Sequence, residues 1–114
     1  MAAALTLSAC GEQHDAERLV SDFMDDHLEN PSALSDVKFE KVDSTKLLTE
    51  KTIADLRLHA NEGDIFRKDI TYKRDDVGRK LYRLRVRYNI DDSAYISTFY
   101  ISEDMESVVA FKTY

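Results

Sequence analysis

Three arginines stand at every second position in the C-terminal half of the chain: Arg83, Arg85 and Arg87. In an extended strand such residues lie on one face of the sheet, about 7 Å apart. The guanidinium group is permanently charged, and its N–H donors fit carboxylate and phosphate groups. The spacing therefore suits a binding face for an anionic or protein partner. The alternative, a solvated face on which these arginines pair with acidic side chains of neighbouring strands, is the simpler interpretation.

Positive charge is concentrated around these arginines. Residues 67–87 contain nine bases and three acids, an excess of six positive charges, although the net charge of the whole chain is −6. The remaining residues therefore carry a net charge of about −12. Because nucleic-acid affinity comes from neutralising phosphates, the acidic balance of the chain argues against a nucleic-acid partner.

Two other sets of side chains have chemistry to offer. His27 follows Asp26 beside a predicted apolar helix stripe, where it would suit a general base or a metal ligand. Because no second His or Cys stands at ligand spacing, we interpret His27 as a residue at the edge of the core. A tyrosine inside a pocket can act as an acid or a base, but packing on strands is the simpler interpretation. The tyrosines are Tyr72, Tyr82, Tyr88, Tyr95, Tyr100 and Tyr114.

The first ten residues are small or apolar and end in the only cysteine of the chain, Cys10. The tetrapeptide Leu7-Ser8-Ala9-Cys10 resembles the lipobox of bacterial lipoproteins: a large apolar residue, two small residues and then cysteine. In that family a peptidase cleaves before the cysteine, whose sulfur carries a diacylglyceryl group. The resemblance implies cleavage between Ala9 and Cys10 and a lipid on Cys10 that anchors the protein to a membrane. The alternative is an N-terminal extension with an incidental cysteine.

The composition fits one soluble globular domain, with 114 residues of which 43% are hydrophobic and 33% charged. A single cysteine allows no internal disulfide, and no apolar run is long enough to span a bilayer. We divide the chain into a remnant of a lipoprotein signal peptide (1–9), a tether (10–15) and a single α+β domain (16–114).

Two helices are predicted. Apolar residues at three- and four-residue steps indicate an amphipathic helix over 13–29, which ends before Pro31. A second helix is predicted over 49–60, with Thr49 as its N-cap and Gly63 as a left-handed residue after its end. The apolar stripe of the first helix is formed by Ala16, Leu19, Val20, Phe23, Met24, His27 and Leu28.

Alternating apolar and polar residues predict the strands. The predicted strands are 37–42, 66–74, 80–90, 94–102 and 107–114. The fourth of these segments should follow the third after a turn at 91–93, and the apolar face of 80–90 should pack on the first helix. This is an α+β plan, with an N-terminal helix on an antiparallel sheet of four to five strands and a second short helix. It resembles the cystatin/NTF2-like group, in which a long helix lies across a curled antiparallel sheet.

The stretches Leu28-x-x-Pro31-Ser32 and Phe39-x-x-Val42-Asp43-Ser44 also resemble small Bacteroidetes-type lipoproteins, a likeness that implies no particular activity. We find no glycine-rich phosphate loop, nucleophile elbow or paired metal motif, and so predict no cofactor and no catalytic residues. The first hypothesis is a non-enzymatic interaction module, lipid-anchored at the bacterial cell envelope. The alternative is an NTF2-like small-ligand carrier or isomerase-type enzyme with a pocket between helix and sheet. Protease inhibition is a third hypothesis, which rests on fold analogy alone.

Overall fold

The computed structural model describes residues 2–45, 48–74 and 76–114, with side chains described from Gly11 onward. Over these residues the fold is α+β: two α-helices and an antiparallel sheet of five strands that does not close. The predicted fold class is therefore confirmed. The elements are α1 (Ala2–His27), a 3₁₀ turn (Pro31–Ala33), β1 (Leu34–Phe39), β2 (Asp43–Thr45), α2 (Glu50–Glu62), β3 (Leu81–Ile90), β4 (Ser93–Ser102) and β5 (Val108–Thr113).

Strand β3 is the centre of the sheet. It pairs along its full length with β4, which in turn pairs with β5. Its other edge is shared by two short strands, because β1 pairs with its C-terminal half and β2 with its N-terminal end. Strand β1 ends at Phe39, earlier than the predicted end at residue 42, and an irregularity interrupts it between Ser35 and Lys38.

One face of the sheet packs against α1. Four helix residues from the predicted stripe are buried against β3, β4 and β5: Ala16, Val20, Met24 and Leu28. Phe99 and Phe111 stack at a centroid distance of 5.4 Å, and the ring of Phe23 from α1 meets both of them edge-on. The alternating apolar side chains of β3 face this core, as the sequence predicts.

Helix α2 covers the sheet beside β5 on the opposite face. Ile53 is buried there with Leu81 and Val109. The helix begins after Thr49, whose hydroxyl accepts a hydrogen bond from the Thr52 backbone N–H, so the predicted N-cap is confirmed. The prediction for Gly63 is wrong: its φ of −78° is ordinary extended backbone, because the chain leaves the helix without a left-handed turn.

Helix α1 extends further toward the N-terminus than the sequence predicts. Residues 11–15, which we predicted to belong to a tether, are helical. The side chain of Gln13 accepts a hydrogen bond from the Val42 backbone N–H (2.7 Å) and donates one to the carbonyl of Glu40 (3.1 Å). These bonds tie the start of the folded domain to the β1–β2 connection. The division of the chain near residue 10 stays a prediction.

The predicted strand at 66–74 is wrong. This segment makes only a single bridge, between Phe66 and Leu28 at the end of α1. Side chains of α2 hold it instead: the Asn61 amide oxygen accepts from the Asp69 N–H, and Arg57 donates to the carbonyl of Arg74. The apolar residues that suggested alternation pack against the core without a partner strand.

Candidate functional site

The three arginines of β3 lie on the face of the sheet that α1 does not cover, and all three are exposed. We call this surface, formed by Arg83, Arg85 and Arg87, the arginine face. The two-residue turn between β3 and β4 sets the register, so that Arg83 stands opposite Tyr100 and Arg85 opposite Thr98. The strand alternation that predicted the face is confirmed, and β4 supplies its second row of side chains.

Two of the arginines form ion pairs across the strand edge. Arg83 donates two hydrogen bonds to the Asp43 carboxylate, at 3.1 and 2.8 Å, from a position directly opposite it in the β2–β3 register. These bonds lower the pKa of Asp43 and raise that of Arg83. Arg87 lies 3.5 Å from a carboxylate oxygen of Glu40. The cross-strand pairing that we kept as the alternative therefore holds for these two residues.

Arg85 differs from both neighbours. Within the part of the chain that the structure describes, its guanidinium group makes no ion pair and no hydrogen bond. Lys41, on the connection between β1 and β2, is exposed and equally without an ionic partner among the described residues. Arg85 on the arginine face and the nearby Lys41 are therefore two cationic groups that no described residue neutralises.

A pocket of about 290 Å³ opens on this face. Thr98 belongs to its lining and is only 3% exposed, and its hydroxyl oxygen has no hydrogen-bond partner in the protein. Leaving a buried hydroxyl unpaired costs about 1–3 kcal/mol, so Thr98 places an unsatisfied polar group beneath this pocket. The lining consists of Glu40, Lys41, Asp43, Arg83, Arg85, Thr98, Tyr100 and Tyr114.

Two tyrosines stand in this lining. Tyr100 comes from β4, and Tyr114 continues β5 through a backbone hydrogen bond to the carbonyl of Ile96. Burial raises the pKa of the Tyr100 phenol, and nearby Tyr114 adds to the rise while Arg83 opposes it. Tyr100 therefore stays protonated at neutral pH and can donate its O–H to a ligand.

A smaller depression of about 170 Å³ lies between α1 and residues 71–73. Its lining includes Asp26, His27 and Tyr72, the residue types that the pocket-bearing alternative requires. Burial lowers the pKa of His27, and its ring contacts that of Phe23 at 4.4 Å. Small-molecule sites usually measure about 300–1,000 Å³, so this groove is a seam at the edge of a filled core.

A further depression, of about 520 Å³, lies around Arg74. Arg74 pairs there with Asp104 and lies 3.3 Å from a carboxylate oxygen of Asp76. The lining holds three bases and three acids, so it has no excess of positive charge. This depression makes a weaker candidate than the pocket on the arginine face.

The side chain of Cys10 lies outside the side chains that the structure describes, so lipid attachment there stays a prediction. Among the described residues, neither helix combines the length and the hydropathy needed to cross a membrane. The same residues hold no group of three His, Cys, Asp or Glu side chains placed to bind a metal ion.

Sequence reasoning found the arginines of the site but did not place Thr98, Tyr100 or Asp43 beside them, although it named Tyr100 among the candidate tyrosines. Thr98 and Tyr100 could have been predicted, because a two-residue turn at Asp91–Asp92 fixes which β4 residue faces each arginine. Asp43 could not have been predicted, since its place opposite Arg83 depends on how the chain passes from β1 to β2. No protein-family model, curated protein or solved structure matches this chain.

Proposed function

We propose that this protein is a non-enzymatic binding module of the bacterial cell envelope, anchored by a lipid on Cys10, that captures an anionic partner on its arginine face. The observation that carries this proposal is the exposed guanidinium group of Arg85, which has no ionic partner among the described residues and lines a pocket together with Lys41. Two cations without an acidic partner among these residues are suited to an anionic group from outside the protein.

The titration of the pocket residues favours binding over acid–base catalysis. Catalytic acids and bases work best with a pKa near the operating pH. In this pocket the pKa of Asp43 is lowered and that of Tyr100 is raised, so both move away from neutrality. Asp43 therefore stays ionised and Tyr100 protonated across the physiological range, which suits recognition of a charged partner.

Helix α1 links the position of the proposed anchor to the connection between β1 and β2, which borders the arginine face. Gln13 binds the backbone of Glu40 and Val42, in the connection that contributes Glu40, Lys41 and Asp43 to the pocket. Cys10 precedes Gln13 by three residues, about one helical turn. A lipid on Cys10 would hold this edge of the sheet toward the membrane surface, where envelope partners are concentrated.

The anchor is tested by expressing the gene with its natural upstream codons and measuring the mass of the mature protein. We expect a chain that begins at Cys10 and carries a diacylglyceryl group. A Cys10→Ala variant, which should stay unprocessed, is the control. A wild-type protein with Met1 retained and Cys10 unmodified would overturn the anchor.

The binding face is tested by capture of solubilised envelope material on immobilised protein. Reversal of Arg85 to Glu should abolish capture, and capture by the wild type should weaken at high salt because exposed charges are screened. Arg79→Glu changes the net charge equally at an exposed position outside the arginine face and should leave capture intact. Equal capture by wild type and Arg85→Glu would contradict the proposal.

A further inference from the structure

We infer that the pocket on the arginine face binds a phosphoryl group, carried by a small hydroxylated molecule or by a lipid headgroup. The inference rests on the proposed function and names its ligand chemistry. It follows from a charge balance, a set of hydrogen-bond donors and a size limit, each visible in the same pocket.

The charge balance comes first. Both acids of the lining are already matched, since Asp43 pairs with Arg83 and the carboxylate of Glu40 lies beside Arg87, which is outside the lining. The guanidinium of Arg85 and the ammonium of Lys41 have no such partner within the described residues. Two unmatched cations complement the charge of a phosphate monoester, about −1.5 to −2 at pH 7, better than the single charge of a carboxylate.

The donors come next. A phosphoryl group offers three strong acceptor oxygens, and an arginine can meet two oxygens with parallel N–H bonds. Thr98 stands opposite Arg85 in the β3–β4 register, but its hydroxyl is fully buried and lies beneath the surface that a ligand can reach. The protonated phenol of Tyr100, which is half-buried in the same lining, is the second donor. The Arg85 guanidinium and the Tyr100 phenol thus line one pocket from adjacent strands.

The other residues of the lining indicate what the ligand carries besides its phosphoryl group. At about 290 Å³ the pocket holds a group of sugar size. The oxygens of Asp43 and Glu40 can accept hydrogen bonds from ligand hydroxyls while they stay paired with arginine. Tyr114, which is 61% exposed, offers a ring at the rim against which a sugar ring can pack. A sugar phosphate combines all of these features.

The test is calorimetric titration of the full chain in phosphate-free buffer with three probes that share a pyranose ring. We expect saturable binding of glucose 6-phosphate, binding of glucuronate weaker by about tenfold for the loss of one charge, and no binding of glucose. A parallel sedimentation assay uses phosphatidylcholine vesicles with and without phosphatidic acid. Binding to the soluble ester assigns a soluble ligand, whereas binding only to the phosphatidic acid vesicles assigns a lipid headgroup.

Three variants locate the binding. Arg85→Gln should weaken glucose 6-phosphate or vesicle binding by about tenfold or more, because a charge-assisted hydrogen bond is lost. Tyr100→Phe removes the half-buried phenol O–H of the lining and should weaken binding by about fivefold. Arg79→Gln, at an exposed position outside both the arginine face and the pocket lining, is the matched control and should stay within about twofold of the wild type.

The inference would be overturned by absence of binding to both phosphoryl probes, by glucuronate binding as tightly as glucose 6-phosphate, or by equal losses in Arg85→Gln and Arg79→Gln. Failure with both probes in a protein whose envelope capture still depends on Arg85 would remove the phosphoryl ligand and leave the proposed function in place. Phosphoryl binding without any Arg85-dependent capture would keep the phosphoryl ligand and remove the proposed envelope function.

Discussion

The two faces of the sheet share one backbone and differ in what covers them. On the face toward α1, residues such as Leu84 and Phe99 are fully buried. On the opposite face, the arginines stay in solvent and Thr98 keeps an unpaired hydroxyl. Apolar burial stabilises a fold by roughly 25 cal/mol per Å², whereas an exposed ion pair contributes about 0–1 kcal/mol. Helix α2 covers only the part of the opposite face around Leu81 and Val109, which leaves the arginine face open to bind.

The largest effect is expected from two neighbouring positions of β3 that point to opposite faces. Leu84→Ala should lower the free energy of unfolding by about 2–5 kcal/mol, because buried contacts are lost and a cavity remains. Arg85→Ala should change it by less than about 0.5 kcal/mol, since an exposed side chain without partners holds little in place. Urea unfolding followed by circular dichroism measures both variants. Equal losses at the two positions would contradict the division between the faces.

Arg57 provides the next comparison, because its guanidinium group, unlike that of Arg85, makes hydrogen bonds within the protein. It donates hydrogen bonds to the carbonyls of Val109 (3.0 Å) and Arg74 (2.9 Å), and its guanidinium carbon lies 4.3 Å from the centre of the Tyr72 ring. We expect Arg57→Ala to lower the free energy of unfolding by about 1.5–3 kcal/mol, the range for hydrogen bonds to charged groups.

The control for Arg57 is lysine, which keeps the charge and loses the planar fork, so Arg57→Lys should recover only part of the stability. Amide hydrogen exchange in residues 66–74 should also accelerate in Arg57→Ala, since that segment depends on α2 side chains. A variant as stable as Arg85→Ala, with unchanged exchange, would show that Arg57 does not hold this segment.

The smallest effect concerns the pair of Arg83 with Asp43. Arg83 holds the pKa of Asp43 below its ordinary value of 3.8, so the pair stabilises the protein above that pH and the contribution is lost as pH falls through the lowered pKa. Both side chains are about half exposed, which limits the contribution to about 0–1 kcal/mol. Wild type should therefore exceed Arg83→Gln in unfolding free energy at pH 6, and the gap should close in acid.

This pH dependence is measured by urea unfolding of the two proteins between pH 6 and pH 2. Asp43→Asn and the double variant complete a mutant cycle that isolates the pair. A gap between wild type and Arg83→Gln that widens as pH falls would contradict the sign derived from the lowered pKa of Asp43.

The sequence was most informative where periodicity runs long and the packing is local. The buried positions of α1 and the alternation of β3 could be read directly, because a helix stripe and a strand face each follow from a fixed repeat. The N-cap at Thr49 was equally readable, since capping depends on residues three apart. The segment 66–74 was misread because strands need partners, and its apolar residues pack on the core without one.

The residues of the candidate site also divide into those that the sequence predicts and those that it does not. The arginines were found from their spacing alone, and their β4 neighbours could have been found by counting back from the Asp91–Asp92 turn. Which arginine stays unpaired could not be read, because Asp43 and Glu40 reach the arginine face only through the path of the β1–β2 connection. That path depends partly on Gln13, a contact across 29 residues with no local signal.

The most direct measurement reverses Arg83, Arg85 and Arg87 to Glu together and records thermal melting and envelope capture on the same protein. If the arginine face is a binding surface, capture should be abolished while the free energy of unfolding falls by less than about 3 kcal/mol, because the lost pairs are exposed and the new like-charge contacts are solvated. Reversal of Arg67, Lys73 and Arg79 matches the charge change elsewhere and should leave capture intact. Unchanged capture with a large loss of stability would show that these arginines are structural.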